Sequence, residues 1–237
     1  MTKRFLKLFY QPFFKFKKRR DVKKMLELET ISEKFTAIHK KRLWSSKESI
    51  SGTGSTLENT NELRSILPSL VDDYKIKEIV DSPCGDFNWF KEIIMDLDVS
   101  YFGVDIVEDL IEENSKCYSG EKVSFQVGNI CEDNLPTGDL LIVRDCLFHL
   151  SHSDINRFLI NILNLDYRFL LTSSFELNDD FENSDIISGG FRFIDITKKP
   201  YCFDENKILK KIDDDKNKGN KKLLMFHKND VPHKLNL

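Results

Sequence analysis

Hydrophobic and polar positions follow two different rhythms along the chain. Over residues 22–43 the apolar side chains recur at spacings of three and four, which places Ile31, Phe35 and Ile38 on one face of a helix. Residues 63–70 repeat this pattern, although Pro68 interrupts it. The first part of the chain is therefore predicted to be a helical segment.

After residue 77 the rhythm changes to short apolar runs separated by amphipathic stretches. Strands and helices that alternate in this way predict right-handed crossovers and a mainly parallel sheet, so the fold class is α/β. A helix begins at Ser151, with Asp154 in a capping-box position. The predicted strands are 79–80, 101–104, 123–127, 140–143 and 169–172, with helices over 87–95, 107–118 and from 151. Two closing strands, 191–196 and 223–226, are predicted to flank a charged insertion at 207–222.

The composition and the hydrophobic pattern of the sequence predict three parts. Residues 1–24 form a basic, aromatic arm, residues 25–75 a helical lid or cap, and residues 76–237 the α/β domain. Within the second part, residues 45–60 are rich in Ser, Gly and Thr and predict an ordered loop.

Composition excludes several classes of protein. The chain has 237 residues, of which 40% are hydrophobic and 32% charged, with a net charge of −3, which argues against a wholly disordered protein. No apolar run approaches the ~20 residues of a membrane-spanning helix, and lysines break up the N-terminal apolar residues where a secretory signal would be continuous. Five scattered cysteines without a C-x-x-C pair indicate a reducing, cytoplasmic location and no metal cage.

The charge is unevenly distributed. Residues 1–24 contain ten Lys and Arg against the single acid Asp21, interleaved with aromatic side chains. This composition fits an anionic membrane surface, and equally an arm whose phenylalanines pack on the domain. Nucleic acid is a weaker alternative, and no nucleic-acid partner is expected, because the rest of the chain is acidic.

Candidate chemistry follows the predicted strands, because ligands of such sheets bind beyond the strands' carboxyl ends. The first strand ends in a turn with the single glycine Gly85, which lets the backbone approach a ligand but lacks the G-x-G-x-x-G fingerprint of dinucleotide binding. Asp105 lies twenty residues beyond Gly85, the spacing at which an acid accepts hydrogen bonds from ribose hydroxyls. Asn129 and Ile130 follow the third strand, where they could contact an adenine ring or simply form a turn.

The fourth strand is followed by a cluster of polar residues, Arg144, Asp145 and His149. A His at a strand's carboxyl end, with a carboxylate four residues earlier, predicts general acid–base chemistry. The alternative is an Arg144–Asp145 surface pair with His149 packed in the core.

At these residues the sequence resembles the class I S-adenosylmethionine (SAM)-dependent methyltransferases, and within them a bacterial group of capsule and surface-glycan biosynthesis enzymes. The resemblance runs from about residue 35 to residue 230 and consists of five elements in order. They are Trp44 with SGTGS (51–55) and Thr60, VDSPCGDFNWF (80–90), YFGVDIVEDLIEEN (101–114), RDCLFHLSHSDI (144–155) and NSDIISGGFRFIDITKKPY (183–201). Pro83 and Phe87 replace glycines of the general class pattern, and Asn129 stands where many relatives have Asp.

The resemblance implies a Rossmann-like methyltransferase fold with a seven-stranded, mostly parallel sheet, whose last strand is antiparallel, plus the N-terminal helical segment. It implies SAM as cofactor and His149 as catalytic base, with Asp145 to orient it or act in its place. The implied cofactor-binding residues are Asp81, Pro83, Cys84, Gly85, Asp86, Trp89, Asp105, Ile106, Asn129, Ile130 and Arg144. The implied lid and acceptor residues are Trp44, Ser51, Gly52, Gly54, Ser55, Thr60, Arg192 and Tyr201.

Three functions remain open at this point. The first is O-methylation of a capsular polysaccharide or other surface-glycan component, with the basic arm as a tether to the inner face of the membrane. The second is a catalytically silent nucleotide-binding module that recruits a partner. The third is N-methylation of a small molecule, which would need no base.

Overall fold

The computed structural model describes residues 16–214 and 220–236, which form a sheet covered by helices on both faces. The basic arm predicted at 1–24 lies mostly outside the described residues. The helices are α1 (Phe16–Leu26), α2 (Ile31–Lys40), α3 (Asn61–Tyr74), α4 (Glu108–Tyr118) and α5 (His152–Asn164). The strands are β1 (Glu78–Asp81), β2 (Ser100–Asp105), β3 (Val123–Val127), β4 (Gly138–Val143), β5 (Tyr167–Phe175), β6 (Lys210–Asp213) and β7 (Lys221–His227).

The seven strands form one sheet in the order β3-β2-β1-β4-β5-β7-β6. Strands β1 to β5 are parallel, and β7 runs antiparallel to both of its neighbours, β5 and β6. The predicted α/β class, with a mostly parallel seven-stranded sheet and an antiparallel last strand, is confirmed. Because the chain continues to β2 on one side of β1 and later to β4 on the other, the strand order reverses there and opens a crevice at the carboxyl ends.

The core consists of two apolar layers, one on each face of the sheet. Alternate residues of β4 point to opposite faces, as a strand's two-residue period requires. Leu140 belongs to the layer that contains Leu67 of α3, and Leu141 belongs to the layer that contains Phe158 of α5. All four of these side chains are almost fully buried. Among the described helices, none has the length and apolar character needed to cross a membrane.

The N-terminal segment contains a break that its periodicity did not predict. Thr30 ends the connection between α1 and α2 and caps α2, since its hydroxyl accepts from the Glu33 amide at 3.1 Å. The Glu33 carboxylate in turn accepts from the Thr30 amide at 3.0 Å, which completes a capping box. Residues 22–43 therefore form two helices, and Met25 packs between them, almost fully buried.

Two further predictions are wrong for local physical reasons. The predicted helix over 87–95 is a pair of 3₁₀ turns, because Phe87 takes a left-handed backbone (φ 54°) that a helix does not tolerate. Residues 191–196 form a buried loop rather than a strand, held by the Phe175 amide on the Ile194 carbonyl at 2.8 Å. The strand on that side is β6, which lies inside the predicted insertion.

Candidate functional site

The crevice is a cavity at the carboxyl ends of β1, β2 and β4, covered by α2 and by the loop of residues 44–60, here called the covering loop. The structure brings most of the predicted site residues together in its lining. They are Trp44, Ser51, Ser55, Asp81, Pro83, Cys84, Gly85, Trp89, Asp105, Ile106, Asn129, Ile130, Arg144, Asp145 and His149.

Two buried carboxylates lie in the cavity wall. Asp105 ends β2, and its two oxygens accept from the backbone amides of Gly85 (3.1 Å) and Val107 (3.0 Å). Asp81 ends β1 and accepts from the Tyr101 hydroxyl at 2.9 Å. Burial raises the pKa of Asp81 to about 7 and that of Asp105 to about 6. Among the described residues every hydrogen bond to this pair comes from a neutral donor, so the pair is suited to a cationic or hydroxyl-bearing ligand.

The turn between the two carboxylates requires glycine. Gly85 has a left-handed backbone (φ 57°), and a Cβ there would lie 2.5 Å from the Ser51 hydroxyl oxygen. The same hydroxyl accepts from the Asp86 amide at 2.9 Å, while the Asp86 carboxylate accepts from the Ile50 amide at 2.8 Å. Asp86 therefore fastens the covering loop to the turn instead of lining the cavity.

Apolar side chains form the wall beyond Asp105. Ile106 and Ile130 line it with Leu110 of α4, and Ile31 and Phe35 of α2 close it from the other side. The amide group of Asn129 is already engaged in its own turn, since Oδ1 accepts from the Cys131 amide at 3.0 Å and Nδ2 donates to Glu132 at 2.8 Å. The wall offers a flat apolar slot whose polar rim is the turn after β3.

His149 lines the cavity where the chain continues from the carboxyl end of β4. Its Nδ1 is 2.7 Å from the Gly190 carbonyl oxygen, which only accepts, so Nδ1 carries the proton and Nε2 is left as an acceptor. The ring stacks on Trp44 with 4.1 Å between centroids. Burial lowers the pKa of His149 to about 4, which keeps the imidazole neutral at pH 7.

Asp145, predicted to orient His149 or to act in its place, is held by two cations. Its carboxylate is held by the Lys221 ammonium at 2.7 and 3.0 Å and lies 3.4 Å from the Arg144 guanidinium. Burial alone would raise the pKa of Asp145, but the two cations outweigh it and hold that pKa well below its usual range. A carboxylate that keeps its charge so firmly is a poor general base, and the Gly190 carbonyl takes over the orienting role.

Arg144 lines the cavity, as predicted, and is also bound to groups that the sequence did not indicate. Its side chain is 4% exposed and donates to Asp214 at 2.8 Å and to the Gly54 carbonyl at 2.8 Å. Neither Lys221 nor Asp214 was predicted as a site residue, because both fall inside the segment 207–222 that was interpreted as a charged insertion. One signal was available, a lysine at the start of the apolar run that forms β7.

Five other predicted residues are not among those that line the cavity, namely Gly52, Gly54, Thr60, Arg192 and Tyr201. Arg192 is buried and donates to the Leu150 carbonyl at 2.5 Å and to the Tyr201 hydroxyl at 2.7 Å, so this pair braces the loop after β5. Thr60 is buried and donates to the Thr56 carbonyl at 2.9 Å at the start of α3. Gly52 lies in the covering loop with φ 121°, a conformation that favours glycine.

Comparison with known proteins supports the fold. No family model matches the sequence, and no curated protein matches it. Solved structures do match, and several of them are named as methyltransferases. An O-methyltransferase family protein from Burkholderia thailandensis has a TM-score of 0.59 and 12% identity, over 89% of this chain and 68% of that one.

Two other structures were solved with ligands. Magnesium protoporphyrin IX methyltransferase from Synechocystis PCC 6803, with bound SAH, has a TM-score of 0.54 and 11% identity, over 93% of this chain and 99% of that one. Human N-acetylserotonin methyltransferase, in complex with SAM, has a TM-score of 0.54 and 15% identity, over 89% of this chain and 65% of that one. The chain spans only 54% to 65% of the length of several matched structures. This chain has the Rossmann-like fold of the methyltransferases.

Proposed function

We propose that this protein is a SAM-dependent methyltransferase that binds SAM in the crevice beside β1. The observation that carries the proposal is the buried pair Asp81 and Asp105, whose hydrogen-bond donors in the described ranges 16–214 and 220–236 are all neutral, and which lies between a glycine turn and an apolar slot. SAM has the complementary groups, which are an adenine ring, two ribose hydroxyls and a cationic amino acid. Two of the structural neighbours were solved with SAM or SAH.

The residues of the crevice fit the parts of this cofactor. Asp105 would accept from the ribose hydroxyls, and the apolar slot with Ile106 and Ile130 would take the adenine ring. Asp81 and the turn at Gly85 would hold the methionine end, whose amino group is cationic. The residues present therefore fit the group in charge, polarity and order along the crevice.

When bound, SAM supplies a methyl group already activated by its positive sulfur. The protein's part is to align the acceptor and exclude water, which the covering loop and α2 do over the cavity. For an alcohol acceptor a base must also take the hydroxyl proton. The Nε2 of His149 has its lone pair available for that proton, because the Gly190 carbonyl fixes the tautomer and burial keeps the ring neutral.

We also propose that the acceptor is a surface-glycan component, whether a sugar hydroxyl, a sugar nucleotide or a phosphate-linked substituent. The support is the sequence resemblance, together with the base that an alcohol requires. The basic arm would then tether a cytoplasmic enzyme to the inner face of the membrane. Deletion of residues 1–20 should reduce binding to anionic liposomes, and unchanged binding would remove the tether.

Calorimetry with S-adenosylhomocysteine (SAH) tests the cofactor assignment. We expect binding to the wild-type protein, and a loss of about 10²-fold in Asp105→Ala, since hydrogen bonds to a charged group contribute about 1.5–3 kcal/mol each. Asp109→Ala is the matched control, because Asp109 lies close by in sequence but forms only an exposed ion pair with Lys40 at 3.2 Å. Absence of binding by the folded wild-type protein would sink the assignment.

Mass spectrometry separates the three functions. Glycan intermediates incubated with enzyme and SAM should gain the mass of one methyl group. Methylation of an amine that survives loss of His149 would favour a small-molecule N-methyltransferase. SAM binding without transfer to any acceptor would favour the silent nucleotide-binding module.

A further inference from the structure

Four charged side chains meet in the interior behind the cavity. They are Arg144 and Asp145 after β4, Asp214 after β6, and Lys221 at the start of β7. Lys221 lies 2.7 Å from Asp145 and 3.0 Å from Asp214, and Arg144 lies 2.8 Å from Asp214. Three of the side chains are at most 6% exposed and Asp145 is 22% exposed. We call these four residues the ion cluster.

The positive and negative charges of the ion cluster balance each other. Two cations face two carboxylates, so each charge taken out of water has an opposite partner, without which burial would be costly. The cations hold the pKa of Asp145 well below its usual range against the effect of burial, so this carboxylate keeps its charge at neutral pH. Removal of a single member would leave one charge uncompensated.

The ion cluster touches the covering loop at one point. The Arg144 guanidinium donates to the Gly54 carbonyl at 2.8 Å, and this contact joins residues ninety positions apart. The loop also approaches Asp145 closely, because a Cβ at Gly54 would lie 2.1 Å from the Asp145 carboxylate. The loop therefore lies directly against the cluster where it covers the cavity.

We propose that Lys221 and Asp214 are positioning residues of the site, which hold Arg144 and Asp145 so that the covering loop closes over the cavity. Asp214 fixes the Arg144 guanidinium through Nε (3.2 Å) and Nη2 (2.8 Å) and thereby aims it at the Gly54 carbonyl. Lys221 ties Asp145 to Asp214. The hairpin of β6 and β7 thus controls a loop that is remote in sequence. The link to the cofactor rests on the proposed function, but the link to loop closure does not.

Limited proteolysis tests loop closure without any ligand. Lys47 is the only Lys or Arg between Arg42 and Arg64, so trypsin reports on the covering loop through cleavage after Lys47. In Lys221→Met we expect this cleavage to accelerate by on the order of tenfold. Arg144, which contacts the loop at Gly54, is then no longer held in place by the complete ion cluster. Lys222→Met is the matched control. It removes the same charge from the next residue of β7, where Lys222 pairs with Asp213 and Glu176 away from the cluster.

A purely structural role for the ion cluster predicts different results. It would lower the melting temperature of Lys221→Met while cleavage at Lys47 in the folded protein stayed at the wild-type rate, and that outcome overturns the proposal. Lys221→Arg, which keeps the charge, should restore most of the protection. Should Lys221→Met fail to fold, the charge-balanced double variant Asp214→Asn with Lys221→Met carries the same test, because it leaves Arg144 paired with Asp145.

Calorimetry with SAH connects the loop to the ligand. We expect the affinity of Lys221→Met for SAH to fall on the order of tenfold, with that of Lys222→Met unchanged. If the wild-type protein binds no SAH, the proposed function fails while the proteolysis still decides on the loop. If the wild-type and Lys221→Met proteins bind equally and resist trypsin equally, the positioning role fails and the proposed function stands.

Discussion

Two pairs of aspartates, one in the cavity wall and one in the ion cluster behind it, have opposite electrostatic surroundings. Within the described part of the chain, Asp81 and Asp105 accept hydrogen bonds from neutral donors only, and burial raises their pKa values to about 7 and about 6. Asp145 and Asp214 each contact both a guanidinium and an ammonium group. The first pair has negative charge to offer a ligand, and the second has already used its charge inside the protein.

The contrast shows what surrounds a carboxylate when it serves a ligand and when it serves the fold. A carboxylate that is to bind a cation must not already be neutralised, and it is costly to bury for that reason. A carboxylate inside a balanced cluster fixes other groups in place and resists protonation. All four residues are aspartates, and three of them are buried to a similar degree, so it is their partners that distinguish the two pairs.

Neither aspartate pair is proposed to act as the base, and that role falls to His149. The largest predicted effect is therefore on His149. Replacement of the imidazole in His149→Ala should cut turnover by ~10²-fold or more, while SAH binding stays within a few-fold, because the loss falls on the base and not on the crevice. Steady-state rates and calorimetry on one preparation measure both. His233→Ala, an exposed histidine far along the chain, is the control.

Unchanged turnover in His149→Ala would eliminate the imidazole as base. Asp145, the other polar group at that end of the cavity, would then be the candidate base, and the contrast between the two aspartate pairs would no longer hold. A carboxylate base with so low a pKa would keep its activity far into the acid range, so a pH–rate profile of the variant would distinguish the two.

The second prediction concerns the close approach of the covering loop to the ion cluster. In Gly54→Ala the new Cβ has no room beside the Asp145 carboxylate, so the loop must move away. We expect tryptic cleavage after Lys47 to accelerate about tenfold, with little loss of global stability. Gly120→Ala is the matched control, since nothing lies within 4 Å of a Cβ at that position. Equal cleavage of the two variants would mean that the loop does not depend on this contact.

The sequence was informative where chemistry lies next to a strand end. Asp81, Gly85 and Asp105 each follow a predicted strand, and parallel strands bring their carboxyl ends to one edge of a sheet. Their convergence could therefore be predicted from topology alone. His149 was predicted for the same reason, although the carbonyl of Gly190 that fixes its tautomer was not.

The sequence did not reveal ion-pair partners that lie far apart along the chain. Lys221 lies 76 residues from Asp145, and Asp214 lies 70 residues from Arg144. Their lysine-rich surroundings favour a solvated insertion, and only the pairing of β6 with β7 turns two of these charges inward. The contact between Arg192 and Tyr201 was likewise not predicted. Their residue types suit an acceptor, but the fold buries them against each other.

The smallest predicted effect concerns the first pair and depends on the charge of Asp81. Burial is the dominant effect on Asp81 and raises its pKa, and the nearby charge of Asp105 raises it further. The hydroxyl of Tyr101 on β2 and the Arg144 guanidinium both lower it. The ionised carboxylate is the form that binds a cationic amino group, so the affinity for SAH should rise as the pH rises through about 7 and then level off.

Tyr101→Phe removes the hydroxyl that favours ionised Asp81, so the midpoint of that rise should move to higher pH. At pH ~7 we expect a few-fold weaker SAH binding, and at pH ~9, where both proteins have ionised Asp81, the two affinities should converge. Tyr167→Phe is the matched control, because among the described residues the buried Tyr167 hydroxyl has no hydrogen-bond partner. A loss of affinity in Tyr101→Phe that is the same at every pH would mean that the hydroxyl acts on packing and not on the charge of Asp81, and the contrast between the two aspartate pairs would lose its electrostatic basis.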